Sequence, residues 1–383
     1  DYDEEEDANK NVQGGQSVTS IFDIKRRVEL GLMSEMFLGK WGQKAFYATL
    51  IIYLYGDLAI YSVSVPSSLA KVTGGIPFLN MDEHDSYYIF LAIFCVAILP
   101  WTMFNFQKTK WLQLATVITR NVALFTMITL ATIYIAEGHG TSDVPWFRPL
   151  GLPSLFGVSV YAFMCHHSLP GLITPIRDKR NINKLMLGDF TTILATYSLL
   201  CTTALFAFGS EKNDSCDPHP GDACKIQPLY TFNFNSYDFR PLAVFLTLFP
   251  VFTLSSNFPL IAITLRNNLV MLIPYGESNP RLRQIGFSLI ATGPPMLLAF
   301  FTRDVDLLVS VTGSYAGLGI MFIIPAVLVL NSRKALSNVD PALYTEHPFK
   351  SPFGSKIYVY VIIVATVLSA GLITFNHIYA WAT

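Results

Sequence analysis

Three groups of residues in this chain have the type and spacing to do chemistry, and all three lie inside apolar runs. Asp57 sits halfway along IIYLYGDLAIYSVSVP, where tyrosines are its nearest polar neighbours. His166 and His167 stand together in YAFMCHHSLPGLITP, residues 161–175, followed at once by Ser168, Pro170 and Gly171. Thr253, Ser255, Ser256 and Asn257 form a dense hydroxyl and amide patch between Pro250 and Pro259. A carboxylate inside a bilayer costs about 3 kcal/mol even on lenient insertion scales, so Asp57 must face a partner, a cavity or an ion. Either it is a coupling acid that takes up a proton or cation, or it is a polar clamp held by a tyrosine, serine or asparagine. The histidines lack the i, i+4 spacing and the further ligands that a metal site needs. They read as a polar cavity lining or a pH-sensitive group. The hydroxyl patch reads two ways: oxygen ligands for sodium beside carbonyls freed by proline, or glue between helices.

The elements that must position these groups are membrane spans. The chain has 383 residues, 52% hydrophobic and 14% charged, with mean hydropathy +0.43. An ordinary soluble domain carries about a quarter charged residues. The net charge of −1 gives no basic surplus for nucleic acid. A bilayer-crossing helix needs about 20 apolar residues. That rule predicts nine spans, at 44–69, 87–106, 111–135, 152–176, 186–209, 241–265, 284–302, 306–330 and 355–380. The expectation is an all-α polytopic membrane bundle occupying residues 42–383.

The fourth span is the unusual one. Two histidines, a serine, a proline and a glycine replace the aliphatic side chains that a lipid-facing helix needs. Irregular backbone survives at membrane depth only where protein or a watery cavity surrounds it. Secondary transporters build midplane sites from helices broken in this way. Ser168 is placed to cap a second half-helix, with Pro170 in its first turn. The positive end of that half-helix would face the cavity. A plain proline kink closed by packing is the alternative.

Residues 1–20 are acidic and then rich in Gly and Ser, so they read as a disordered segment. A helix over 21–41 follows, with Asp23 placed for a capping box. Its stripe Ile21, Ile24, Val28, Leu32 and Met36 runs beside Lys25, Arg26 and Arg27. That pattern suits a helix on an anionic membrane surface, or one packed on the protein's own end.

Nineteen of the 26 lysines and arginines fall on one side when the connections are alternated. The positive-inside rule makes that side cytoplasmic, with the N-terminus inside and the C-terminus lumenal or extracellular. Arg120 falls well inside a span. The loop holding Cys216 and Cys224 lands outside. It also carries Asn213-Asp214-Ser215, a glycosylation acceptor at Asn213, and the two cysteines read as a disulfide. Gly313, Gly317 and Gly319 in VTGSYAGLGIMF read as small-residue helix packing. No phosphate loop, nucleophile elbow or zinc motif is present, so an enzyme is the weakest reading. The chain starts at Asp1, without methionine or an apolar leader, and reads as a fragment.

Phe163-x-Cys165-His166, followed by Pro170 and Ile173-Thr174, resembles the broken sixth helix of the amino acid/auxin permease family. A narrower likeness, to one branch of that family, rests on Tyr53–Pro66, Cys165–Pro175 and Phe249–Asn268. It extends to Gln107-Lys108-Thr109-Lys110 and Thr312–Gly317. The resemblance implies an inverted-repeat carrier fold of eleven helices, of which this chain would hold the third to the eleventh. The first helix, also broken, supplies much of the substrate and ion site in that superfamily, so a chain without it is not expected to transport. The resemblance further implies Phe163, Cys165, His166, His167 and Ser168 at a substrate site. Asp57, Thr253, Ser255, Ser256 and Asn257 would serve coupling, with Na+ or H+ as coupling ion and no organic cofactor. Many family members follow the Cys-His pair with Pro-Glu; here His167 and Ser168 follow, so substrate choice does not carry across. Two functions are therefore in view. One is a proton- or sodium-coupled carrier of amino acids or similar small solutes. The other is a membrane sensor or scaffold that docks a cytoplasmic protein through residues 1–38.

Overall fold

The computed structural model describes residues 28–75, 81–103, 110–141, 144, 147, 149–176, 179, 181–209, 225–235, 237–273, 280–339, 351 and 353–382. Asn213, Cys216, Cys224 and the acidic segment 1–20 lie outside the described residues, as does the first part of the expected 21–41 helix.

Among the described residues, length and apolarity give eight helices that can each cross a membrane. They are α1 (Leu30–Thr73), α2 (Glu83–Met103), α3 (Lys110–Ala136), α6 (Ile182–Phe208), α7 (Arg240–Leu272), α8 (Pro280–Phe301), a compound helix over 305–338, and α11 (Lys356–Ala382). The remaining expected span, 152–176, is split into α4 (Leu152–Phe163) and the single turn α5 (Leu169–Ile173). Eight long helices and one broken pair account for the nine expected crossings. The protein is an all-α, multi-pass membrane bundle.

Its centre is α1, which packs along α7 and also touches α2 and α8. Leu50, Leu54 and Leu58 of α1 meet Phe258, Ala262 and Leu265 of α7 in one buried cluster, with Phe94 edge-on to Phe258. Lipid-facing positions elsewhere are exposed apolar side chains, such as Ile133, Leu298 and Val364. With lipid as solvent there is little hydrophobic gain between helices, so contact falls on small and polar residues.

The helix ends show how polar groups are satisfied. The last turn of α2 leaves carbonyls without intrahelical partners. Arg266 of α7 donates to Thr102 O at 3.3 Å, Ser288 of α8 to the same oxygen at 3.4 Å, and Gln284 to Met103 O at 2.6 Å. A buried cation there also suits the negative end of the helix dipole.

α1 starts at Leu30, well before the expected span, because its first two turns are a separate piece. Gly39 interrupts it at φ 71° and ψ −172°, a conformation reserved for glycine. The chain folds back there: Gln43 donates to Glu35 at 2.6 Å, and a Cβ at Gly31 would come 2.6 Å from the Tyr47 hydroxyl. Leu30 is buried in the main cluster with Met33 and Phe37 beside it, whereas Leu32 and Met36 of the expected stripe face outward. Gly39→Ala should cost about 1–3 kcal/mol by forcing a Cβ into that region. A lowered thermal unfolding temperature in detergent checks this; an unchanged one means the fold-back can relax.

The compound helix is the other departure from regular geometry. α9 (Val305–Val311) begins with Asp304 capping Leu307 N at 3.0 Å. Thr312–Gly317 and Gly319–Ile323 then run as π-helix before α10 (Ile324–Val339) resumes. Such widened turns are uncommon and cluster at functional sites.

Candidate functional site

The break in the fourth crossing begins where Met164 leaves helical geometry at φ −78° and ψ 104°. A tight turn then closes through Ser168 N to Cys165 O at 2.9 Å. Ser168 does stand at the N-cap position of α5, with Pro170 in the first turn. Its side chain caps nothing, because its backbone is near-helical (φ −95°, ψ −16°) and its hydroxyl is exposed rather than turned inward. α5 is one turn long, so the expected dipole end is weak. At its far end Lys179 donates to Ile176 O at 2.9 Å and Thr174 O at 3.3 Å, closing the carbonyls left open there.

Asp57 is 5% exposed, midway along α1. The hydroxyls of Tyr53 and Tyr161 lie beside its carboxyl. The first comes from one turn earlier on α1 and the second from the last turn of α4. One carboxyl oxygen, Oδ1, accepts no hydrogen bond from the described residues. Tyr61, one turn later on α1, lies within electrostatic reach of the same carboxyl. The Tyr53 ring sits between two others, 6.3 Å from Tyr161 and 5.7 Å from the imidazole of His167. Tyr53 therefore joins Asp57 to the break. Two groups that the sequence separates by 110 positions share one polar, aromatic cluster.

His166 and His167 are both partly buried, and the Nδ1 atom of each is inaccessible without a hydrogen-bond partner among the described residues. Buried polar atoms left unpaired are rare in proteins and ask for an explanation. Phe163 turns to the neighbouring helix, meeting Tyr197 of α6 edge-on at 5.8 Å. Cys165 is half-buried in the turn itself.

The hydroxyl patch behaves differently. α7 runs unbroken through Pro250 and Pro259. Thr253 is buried and donates to Phe249 O at 2.9 Å, and Ser256 donates to Thr253 O at 3.0 Å. These two hydroxyls bond back to their own helix, as serine and threonine commonly do. Ser255 and Asn257 are half-buried beside them.

Small residues make the cluster possible. A Cβ on Gly56 would strike the Thr312 side chain, and one on Gly157 would strike the Ser314 hydroxyl. One on Gly313 would strike the Gly157 carbonyl oxygen. The π-helical stretch is thereby drawn against both α1 and α4. Ser314 is fully buried there, and its hydroxyl has no partner among the described residues. The sequence marked this stretch by its glycines and by the family likeness over Thr312–Gly317, and assigned Ser314 no role.

A discontinuous helix holding polar atoms unpaired among the described residues, beside a buried carboxyl in a multi-pass helical bundle, is the kind of arrangement from which secondary transporters build their sites. Comparison with known proteins agrees. A family model described as "Transmembrane amino acid transporter protein" matches residues 24–373. The chain is 47% identical over 369 residues to a protein of Dictyostelium discoideum named "Transmembrane protein 104 homolog", covering 94% of this chain and 73% of that one. It is 42% identical over 368 residues to "Transmembrane protein 104" of Mus musculus, covering 90% and 71%. The Drosophila melanogaster homologue is 36% identical over 394 residues, covering 93% and 74%. The chain belongs to the transmembrane amino acid transporter family, among the transmembrane protein 104 proteins. The resemblance read from the broken span and its neighbours holds over most of the chain.

Proposed function

We propose that this protein is a secondary carrier of amino acids or similar small solutes, driven by a proton or sodium gradient. The observation that carries the proposal is the meeting of Asp57, Tyr53, Tyr161 and His167 at the broken crossing. Asp57 is the coupling group: one of its carboxyl oxygens has no hydrogen-bond partner among the described residues, and two tyrosine hydroxyls beside it can follow its change of charge. The turn Cys165–Ser168 and the imidazoles of His166 and His167 form the solute-facing wall. Thr253, Ser255, Ser256 and Asn257 are the assigned oxygen set for a sodium ion, with Ser255 and Asn257 the two whose side chains are not given to intrahelical bonds. The basic side is assigned to the cytoplasm, and family membership supports a small solute as cargo. The names of the relatives specify no solute and no ion.

The test is flux in proteoliposomes carrying the full-length protein, with tracer amino acids offered singly under imposed proton and sodium gradients. Accumulation that follows one of the gradients is the expected result. Failure of all twenty amino acids under both gradients would overturn the carrier reading and leave the sensor or scaffold standing.

A further inference from the structure

At one end of the bundle the chain encloses a cavity of about 430 Å³ that the cluster around Asp57 does not use. Lys71 from the last turn of α1 lines it, as do Glu83 and Tyr87 from the start of α2. Arg303 from the turn between α8 and α9 and Gln227 from the stretch before α7 complete its polar lining with His84. Charged groups at helix ends lie where a bundle meets water, so a dissolved solute can reach this space. Its volume falls in the range of small-molecule sites. The walls are fixed by contacts outside the cavity. The Tyr87 hydroxyl donates to Ala299 O of α8 at 2.8 Å, and Leu229 packs on the buried cluster that holds Val305. Gln227 N donates to Asn233 Oδ1 at 2.9 Å, which ties down the wall before α7.

Arg303 is the group these walls present. Its guanidinium lies 4.3 Å from the ring centre of Tyr87 and 4.5 Å from that of Tyr88. Those two rings stand at 78° to one another, so the charge sits in an aromatic corner. Attraction to a ring face spends no donor. One nitrogen, Nη2, donates to His84 O at 3.0 Å, which leaves most of the five N–H groups of a guanidinium unspent. Neighbouring charges do not neutralise it. Glu83 is paired with Lys71 at 3.4 Å, Asp85 faces His84 at 3.3 Å, and Asp304 caps Leu307 N at 3.0 Å. Among the described residues no carboxylate forms an ion pair with Arg303. The Lys71–Glu83 pair is neutral, so with His84 uncharged the lining keeps one positive charge, that of Arg303. A guanidinium fork matches the paired oxygens of a carboxylate or a phosphate. A single positive charge beside Glu83 selects the monoanion over the dianion. We infer that this cavity is a binding site for a small monocarboxylate, held by the unspent N–H groups of Arg303. An α-amino acid belongs to the same class, with its ammonium group turned to Glu83. The site does not rest on the carrier reading.

Thermal unfolding of the purified full-length protein in detergent is followed while propionate, L-alanine, ethylamine or inorganic phosphate is titrated. Propionate or L-alanine should raise the unfolding temperature of the wild type, and ethylamine should not. Arg303→Gln should weaken the apparent affinity about ten- to a hundredfold, the worth of one charge-assisted bidentate contact. Arg303→Lys should regain only part of the loss, because it keeps the charge and not the fork. Ser67→Trp narrows the cavity from the α1 wall and leaves Arg303 in place. It should weaken binding as much, and it decides the matter if Arg303→Gln does not fold. If Arg303 were only a brace between α2 and the α8–α9 turn, Arg303→Gln would lower the ligand-free unfolding temperature and leave affinity unchanged. That result would overturn the assignment, as would a wild type that neither carboxylate stabilises. Tighter binding of phosphate than of either carboxylate would overturn the ligand class. Flux measured in parallel separates the two ideas. Carboxylate binding lost in Arg303→Gln, with no flux of any amino acid, upholds the site and removes the carrier reading alone.

Discussion

Asp57→Asn is expected to abolish gradient-driven flux while leaving the protein folded. Asparagine has the shape of the aspartate and keeps a carbonyl oxygen that can accept from Tyr53 or Tyr161. What it loses is the capacity to change charge. A group that cycles between charged and neutral in a low-dielectric site is what links an ion gradient to a conformational equilibrium. Uptake under a proton or sodium gradient should fall at least about tenfold, equivalent to about 1.4 kcal/mol of coupling. Solute exchange at equal concentrations should survive, because it needs the site but not the coupling. Asp57→Leu supplies the contrast. It removes the acceptor beside the Tyr53 and Tyr161 hydroxyls, at about 1–3 kcal/mol for each left unpaired, so the yield of folded protein should drop. If Asp57→Asn retains full gradient-driven uptake, Asp57 is a structural clamp and coupling lies elsewhere.

The contrast between these two variants follows from how the site was legible. Asp57 declared itself because a carboxyl in an apolar run has no cheap explanation. The sequence offered Tyr53, Tyr55 and Tyr61 alike as its neighbours; in the helix Tyr53 and Tyr61 lie one turn away on the same face. Tyr55 lies on another face and donates instead to Ile290 O of α8 at 2.7 Å. Tyr161 could not be found this way. It joins Asp57 only through the packing of α4 on the bundle, and no local pattern records a contact between residues 104 positions apart. The broken crossing was readable because its residues are wrong for a lipid-facing helix. Its details were not: the hydroxyl of Ser168 was expected to cap, and the near-helical backbone at that residue turns it away. The hydroxyl patch on α7 shows the same limit. Composition made Thr253 and Ser256 available for an ion but could not show that their hydroxyl hydrogens go to intrahelical carbonyls, leaving only the oxygen lone pairs for a cation. Apolarity could place the compound helix but not its π geometry, since hydropathy is nearly blind to whether a turn holds 3.6 residues or more.

That π geometry carries the second large effect. Gly313→Val should remove folded protein from the membrane fraction, and Gly313→Ala should leave a smaller amount with a lowered unfolding temperature. A side chain at this position meets the carbonyl oxygen of Gly157 far inside van der Waals contact, and also the Cβ of Tyr161. The first obstacle is backbone and cannot rotate away. α4 or the π-helical stretch must shift as a body, and overpacking of this kind costs about 1–3 kcal/mol or more. The shift would also carry Tyr161 off the Asp57 carboxyl, because Tyr161 sits one turn beyond Gly157 on the same face of α4. Whatever Gly313→Ala protein survives should therefore resemble Asp57→Leu in stability, with weakened transport. Gly371 of α11 is the control: a Cβ there meets nothing, so Gly371→Ala should behave as wild type. Normal yield and flux in Gly313→Ala would mean that the close approach of the two elements is not required for the site.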